Sequence, residues 1–155
     1  MLDKKGGECM IEVQVAEIGA EMNSNSPVVI LSRKEGSGIL PMKIDSQQAV
    51  AIYIGLKNKK LPRPMTHDLL KNVIDKCNLE VLKVEVVALK EGTYYAEIII
   101  KENDEVVKID ARPSDAIALA LRKDVSIYLA EDIAEDNFIY GDPQEFVEPY
   151  DFKIM

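Results

Sequence analysis

Two stretches of the chain repeat each other, and this repeat constrains the fold more than any other feature of the sequence. "KIDSQQAVAIYIGLK" (43–57) aligns with "KIDARPSDAIALALRK" (108–123) when the second copy carries two extra residues. Each copy follows two alternating segments joined by a polar turn, which is the pattern of a β-hairpin. A further strand pattern leads each copy, at 11–18 and at 81–89. The repeat predicts an α+β fold of antiparallel strands, in which a strand-strand-strand-helix unit occurs twice.

A third helix is predicted between the two copies. Thr66 is a residue type that caps helices, and the chain after it has the pattern of an amphipathic helix that ends near Asn78. Its apolar residues recur at helical spacing and form one stripe: Leu69, Leu70, Val73, Ile74 and Cys77. The two repeated helices are instead apolar almost all round, so each must be buried in the domain or against another subunit. We therefore expect a homo-oligomer, at least a dimer.

Charge divides the chain into three parts. Residues 1–10 are predicted to be a flexible N-terminus, residues 11–130 the domain, and residues 131–155 an acidic tail rich in aromatic residues. The net charge of −8 comes almost entirely from this tail, which holds eight acidic residues against Lys153 alone. The segment 46–67 has the opposite balance, with four cations and no acid: Lys57, Lys59, Lys60 and Arg63. A local cationic surface of this kind can meet a phosphate backbone, so nucleic acid remains a candidate partner.

The location of the protein is predicted from three features of the sequence. No apolar run approaches the roughly 18 residues that a membrane-spanning helix needs. The N-terminal residues are charged and then alternate, which is not the pattern of a signal peptide. Cys9 and Cys77 form no CxxC pair. These features predict a cytoplasmic protein in a reducing compartment, with no membrane partner.

Two similar polar turns carry the candidate chemistry. "RPMTHD" (63–68) and "RPSD" (112–115) each place Arg-Pro ahead of a hydroxyl residue and an aspartate at a predicted helix start. The only histidine, His67, is a candidate general acid or base, and bidentate arginines suit phosphate. The candidate catalytic residues are His67, Asp68 and Asp115, with Thr66 and Ser114 in support. The candidate phosphate-binding residues are Arg63, Arg112, Lys59 and Lys60. Asp110 and Asp115 are candidate ligands for Mg²⁺ or Mn²⁺. If the two turns form one site they must converge, so we expect His67 to lie within about one side-chain length of Asp110, Arg112 or Asp115.

Helix capping is the alternative explanation of the same turns. Proline stiffens a loop, Thr or Ser caps a helix, and an aspartate in the first turn suits the helix dipole. Capping leaves only the two arginines and His67 unexplained. Other chemistries have less support: one histidine and two distant cysteines do not make a zinc site, and no nucleotide-binding glycine pattern occurs. A Cys77–His67 pair and a Ser114–His67–Asp triad are both weak candidates, since Cys77 lies on an apolar stripe and no nucleophile elbow is present.

Four motifs, in order along the chain, resemble the bifunctional nuclease domain family. They are "NSPVVIL" (25–31), "LPRPMTHDLL" (61–70), "EGTYYAEI" (91–98) and "DARPSDAIALAL" (110–121), and the resemblance covers about residues 11 to 130. The resemblance implies an α+β fold with a duplicated unit and cleavage of DNA and RNA. The polar positions that match the family motifs are Arg63, Thr66, His67, Asp68, Asp110, Arg112, Ser114 and Asp115.

One position departs from the family pattern. Where the family usually has "LPIWIG" followed two residues later by glutamate, this chain has "LPMKIDSQQ", which places Asp45 at the glycine and Gln48 at the glutamate. An amide cannot act as an anionic metal ligand or as a general base. Two functions therefore remain open: a metal-assisted nuclease of low sequence specificity, or a non-catalytic module of the same fold that binds an anion or a partner.

Overall fold

The structure, a computed structural model, describes residues 9–152. The strands are β1 (Met10–Glu21), β2 (Pro27–Arg33), β3 (Ile39–Lys43), β4 (Glu80–Lys90), β5 (Thr93–Glu102), β6 (Glu105–Ala111), β7 (Ile127–Ala130) and β8 (Val147–Pro149). The helices are α1 (Ser46–Leu56), α2 (Thr66–Lys76), α3 (Pro113–Lys123) and α4 (Glu131–Asn137). The α+β class is confirmed, and the order strand, strand, strand, helix occurs twice with α2 between. The predicted flexible N-terminus, residues 1–10, lies outside the described residues except for Cys9 and Met10.

All eight strands join one sheet, in the order β3-β2-β1-β7-β4-β5-β6, and β8 pairs with the end of β1. Neighbouring strands are antiparallel, as predicted, except that β4 and β7 are parallel. β7 lies in the middle of the sheet, antiparallel to β1. Each repeated unit thus supplies one half of the sheet, and β7 joins the two halves.

The two repeated helices pack together over the sheet, as their apolar sequences require. α3 buries Pro113, Ser114 and every residue from Ala116 to Ala120, and α1 buries Ala49, Ala51, Ile52 and Ile54. Gly55 allows their close approach, because a Cβ atom there would stand 2.9 Å from Nη1 of Arg122. A single chain therefore buries both helices, and their apolar character does not require a second subunit. None of the described helices has the length and apolar character needed to cross a membrane.

The segment that follows β7 continues the fold over much of its length. Ile139 bridges to Ile39 at the edge of the sheet, and β8 pairs with Gly19–Glu21 of β1. This segment covers the face of the sheet opposite the helices, where it completes a second apolar cluster of Val28, Ile30, Ile39 and Val147, with Ile139 and Phe146 packed against it. β2 is consequently buried on both faces, which explains its continuous apolar sequence.

Among residues 9–152, α2 and the edge strand β6 each expose a group of large apolar side chains, and both elements lie outside the repeated helices. In α2 only Ile74 is buried, while Leu69, Leu70 and Val73 are 55%, 37% and 49% exposed. The edge strand β6 exposes Val106, Val107 and Ile109. Any need for a partner subunit thus comes from α2 and β6, and not from the helices on which the expectation of a dimer was based.

Candidate active site

The two polar turns converge on one hydrogen-bonded array. Nε2 of His67 lies 2.8 Å from Oδ1 of Asp115, and Nε of Arg112 donates to Oδ2 of the same carboxylate at 2.9 Å. His67 belongs to the first turn of α2, whereas Asp115 belongs to the first turn of α3. The expectation that the two turns meet is therefore confirmed for His67, Arg112 and Asp115. The roles of these residues stay a prediction.

The charge of Asp115 determines which nitrogen of His67 carries the proton. Partial burial raises the pKa of the Asp115 carboxyl, but hydrogen bonds from Arg112 and His67 outweigh burial and bring the pKa below its ordinary value. The group is therefore an ionised acceptor near neutral pH, and the hydrogen between it and Nε2 must come from the imidazole. In neutral His67, Nδ1 is then the unprotonated nitrogen and can accept a proton.

The array lines a cleft of about 550 Å³ where the starts of three helices meet. We call this the His67 cleft; its polar lining comes from the start of α1 (Asp45, Gln48), the start of α2 (Thr66, His67) and the start of α3 (Arg112, Asp115). Pro113 occupies a position in α3 where its fixed φ suits the first helical turn. The N-cap residue of α3, Arg112, makes no side-chain capping bond within the described part of the chain, so amide groups of the first turn are available to an anion.

The departure at Gln48 has a structural role. The backbone amide of Gln48 donates to Oδ1 of Asp45, and the backbone amide of Asp45 donates to Oε1 of Gln48, both at 2.8 Å. This reciprocal capping box starts α1. A glutamine serves it as well as a glutamate, because only the acceptor oxygen is used.

Asp68, a candidate catalytic residue, faces away from the array and anchors α2 instead. Its Oδ1 accepts from Nε of Arg122 at 2.8 Å, and its Oδ2 accepts from the amide of Met65 at 2.9 Å. Partial burial raises the pKa of Asp68, but these two bonds outweigh burial and lower it overall. Met65, and not Thr66, is the N-cap residue, so the predicted start of α2 is wrong by one residue.

Arg122 was missed by the sequence analysis, although it holds the three helices together. Its side chain is only 5% exposed, and besides Asp68 it donates from Nη1 to the carbonyl oxygens of Ala51 and Ala118. It thus joins α1, α2 and α3. In sequence Arg122 resembles a cation at a helix C-terminus, and no local pattern distinguishes it from Lys123.

The remaining candidate residues do not join the array. Lys59 and Lys60 line a separate groove of about 430 Å³ together with Asp68 and Arg122. Asp110 is exposed in β6, and Arg63 lines neither the His67 cleft nor this groove. The four candidate cations and three candidate acids are therefore distributed over several surfaces. Of these residues, only Asp115 contacts His67, and only Arg112 contacts Asp115.

The donor set around His67 does not fit a resident Mg²⁺ ion. Both oxygens of Asp115 are engaged by His67 and Arg112, and both oxygens of Asp68 are engaged elsewhere. Within residues 9–152 no group of three or more His, Cys, Asp or Glu side chains is placed to hold a metal ion together. A metal would have to displace existing partners or be brought by the substrate.

Comparisons with known proteins agree with the motifs. The sequence profile of the bifunctional nuclease domain matches residues 29–140. An uncharacterized protein of Mycobacterium tuberculosis is 40% identical over 122 residues, which cover 79% of this chain and 73% of that protein. Bifunctional nuclease 2 of Arabidopsis thaliana is 27% identical over 140 residues, and bifunctional nuclease 2 of Oryza sativa subsp. japonica is 30% identical over 127 residues.

The alignments cover most of this chain but less than half of each plant relative. The two plant alignments cover 86% and 79% of this chain but only 43% and 38% of the plant proteins, so the likeness concerns one part of each. The profile spans more than half of the chain and includes all three residues of the array, His67, Arg112 and Asp115. The chain therefore belongs to the bifunctional nuclease domain family.

Proposed function

We propose that this chain is a nuclease domain that hydrolyses phosphodiester bonds of DNA or RNA with low sequence specificity. The observation that carries the proposal is the array in which Asp115 joins His67 to Arg112 at the wall of an open cleft. Attack of water on phosphorus uses a general base, here His67, and a cation that binds the phosphate, here Arg112. The plant relatives named bifunctional nucleases support the same class of reaction.

Each residue of the array has one part in the proposed reaction. Nδ1 of His67 accepts a proton from a water molecule as the water oxygen bonds to phosphorus. The bond from phosphorus to the leaving oxygen breaks, and the imidazolium returns its proton to that oxygen. Asp115 holds the Nε2 proton and stabilises the imidazolium. The guanidinium of Arg112 is 67% exposed, so its Nη groups can reach the non-bridging oxygens and offset their negative charge.

Mg²⁺ or Mn²⁺ stays a prediction of the sequence that the donor set does not support. No step above is routed through a metal, because the carboxylates of Asp115 and Asp68 already have partners. The assay of hydrolysis is therefore run with Mg²⁺, with Mn²⁺ and with EDTA. Full activity in EDTA would contradict the expectation of metal assistance, whereas activity only with a metal would contradict our reaction scheme.

The proposed function is tested by a matched pair of arginine variants. We expect Arg112→Ala to lower the rate on a fluorescent single-stranded oligonucleotide by about 10- to 100-fold, because a hydrogen bond to a charged group contributes about 1.5–3 kcal/mol. Arg63→Ala should leave the rate within about twofold, since Arg63 lines neither the His67 cleft nor the lysine-lined groove beside it. Both side chains are exposed, so neither change should unfold the protein.

The alternative function, an anion-binding module without catalysis, has a different outcome in the same experiment. Such a module would bind the oligonucleotide through Arg112 and leave it intact under every metal condition. Equal activity of the wild-type, Arg63→Ala and Arg112→Ala proteins would point to a contaminating nuclease and would overturn the proposed reaction. The purification must therefore be identical for all variants.

We also propose that the protein self-associates through the apolar surfaces of α2 and β6. Leu69, Val73 and Val106 are each about half exposed, and β6 is an edge strand with one unpaired side. A second copy of the chain can cover both surfaces, with an interface of at least roughly 1,000 Å². Light scattering at micromolar concentration should give twice the monomer mass or more. A monomer mass under these conditions would exclude the proposed assembly.

A further inference from the structure

A second cleft adjoins the His67 cleft on the other side of Arg112. It has a volume of about 470 Å³, and its lining includes Met42, Ile44, Tyr94, Pro113 and Ser114 as well as Arg112 and Gln48. Arg112 and Gln48 line both clefts, so the two are neighbours along the starts of α1 and α3. We call it the Tyr94 cleft. Its volume lies within the range of about 300–1,000 Å³ that is usual for small-molecule sites.

The lining of the Tyr94 cleft combines apolar, aromatic and cationic groups. Met42, Ile44 and Pro113 are apolar, and half-buried Tyr94 adds an aromatic side chain. The cations are Arg112, at the start of α3, and Lys43. A ligand that fits this cleft has a flat, largely apolar part joined to an anionic group. A nucleotide has this composition.

Ser114 is an independent sign that the Tyr94 cleft can meet a ligand. The residue is only 5% exposed and lines the cleft, yet within the described part of the chain no protein group hydrogen-bonds to its hydroxyl. Its oxygen is not among the fully enclosed unpartnered atoms, so the hydroxyl meets water in the cleft, and a ligand oxygen can replace that water as its partner. Ser114 follows Pro113 at the uncapped start of α3, so the backbone amides of this turn point in the same direction.

We propose that the Tyr94 cleft is a binding subsite for an unpaired nucleobase, next to the phosphate that Arg112 and Ser114 contact. The base stacks on Tyr94, and the adjoining phosphodiester enters the His67 cleft. The inference rests on the proposed function for the identity of the substrate. A base that is paired in a duplex must first leave its partner strand to enter this cleft. The subsite therefore selects a single-stranded or extruded nucleotide.

The ionisation of Tyr94 is compatible with this role. Partial burial raises the pKa of the Tyr94 phenol above its ordinary value. The phenol is therefore neutral at any pH near 7 and places no negative charge beside the phosphate. Tyr95, the next residue, has a different environment: it is 41% exposed, and Nζ of Lys90 lies 5.5 Å from the centre of its ring. Tyr95 is thus a matched control for Tyr94.

The test compares three ligands by isothermal titration calorimetry or by NMR titration: adenosine 5′-monophosphate, ribose 5-phosphate and inorganic phosphate. We expect the nucleotide to bind about 5- to 100-fold more tightly than ribose 5-phosphate, because stacking on an aromatic side chain is the added contact. Tyr94→Leu should remove this difference, and Tyr94→Phe and Tyr95→Leu should keep it. Ser114→Ala should weaken all three ligands by about fivefold.

Three results would overturn the subsite. They are equal affinity for the nucleotide and ribose 5-phosphate, a preference that survives in Tyr94→Leu, and no binding of any of the three ligands. Leucine is chosen because Tyr94 packs against the core and the apolar volume should be kept. If the leucine variant unfolds, Tyr94→Phe still tests the subsite. Loss of base binding in a folded Tyr94→Phe protein would also contradict stacking. Hydrolysis of the oligonucleotide without a preference for the nucleotide over ribose 5-phosphate would contradict the subsite but not the nuclease proposal. A preference for the nucleotide without hydrolysis would contradict the nuclease proposal but not the subsite.

Discussion

Replacing His67 by alanine is expected to lower the rate of phosphodiester hydrolysis by about 10²- to 10⁴-fold, the usual contribution of a general acid or base. The physical reason is that no other imidazole exists in the chain to take the proton of the attacking water. Arg112 and Asp115 keep their mutual hydrogen bond in the variant, so phosphate binding should change little. The loss should therefore appear in kcat and not in KM.

A structural role for His67 would give a different pattern, which the controls can detect. Imidazole added to the buffer should restore part of the activity of His67→Ala, because it can occupy the vacated space beside Asp115. Lys76→Ala, at the exposed end of the same helix, should be fully active. If the folded His67→Ala protein retains more than about one third of the activity, His67 is not the general base.

Replacing Arg122 by methionine is expected to have the largest effect on stability. Methionine fills much of the volume, but Asp68 loses its cationic partner and the carbonyl groups of Ala51 and Ala118 lose their donor. Removing one partner of a buried ion pair typically costs about 3–5 kcal/mol. Asp68 is 28% exposed, so water can replace part of the interaction and the lower end, about 3 kcal/mol, is expected. For a domain of this size the midpoint of thermal unfolding should fall by about 6–12 °C.

The pairing of Arg122 with Asp68 can be isolated by a double-mutant cycle. Arg122→Met, Asp68→Asn and the double variant are unfolded in urea at one protein concentration, since self-association would otherwise change the apparent stability. The double variant should be more stable than the sum of the single losses predicts. Arg63→Met, at an exposed position, should cost less than about 0.5 kcal/mol. A loss below about 1 kcal/mol in Arg122→Met would show that α2 is held by other contacts.

Local patterns in the sequence were sufficient to predict most of the elements and the centre of the site. The repeat predicted three strands and a helix in each half, because alternation and helical spacing are properties of neighbouring residues. The meeting of His67 with Arg112 or Asp115 was predicted on a different ground, because one phosphate site requires the two Arg-Pro turns to converge. The first prediction used local patterns alone, whereas the second used the chemistry of the side chains.

The features that sequence analysis missed depend on contacts between distant segments. Arg122 resembles any cation at a helix end, and only the packing of α1 against α3 shows that its guanidinium is enclosed. Lys59 and Lys60 were grouped with His67 because they are close in sequence, yet they line another groove. The acidic segment resembled a tail, although Val147 and Phe146 complete a second apolar cluster. Composition does not predict such pairings, since it contains no information on which surfaces lie near one another.

The central position of β7 has a consequence for how the protein folds during its synthesis. Met10 pairs with Ala130, and Val84 pairs with Ile127, so within the described sheet the two halves are joined through a strand that is made after both of them. Until β7 leaves the ribosome, β1 and β4 each present an open edge. Such long-range pairings slow folding, and unpaired edges invite association with other nascent chains. A chaperone that shields β-strand edges would therefore act on this chain chiefly in the interval before residue 130 emerges.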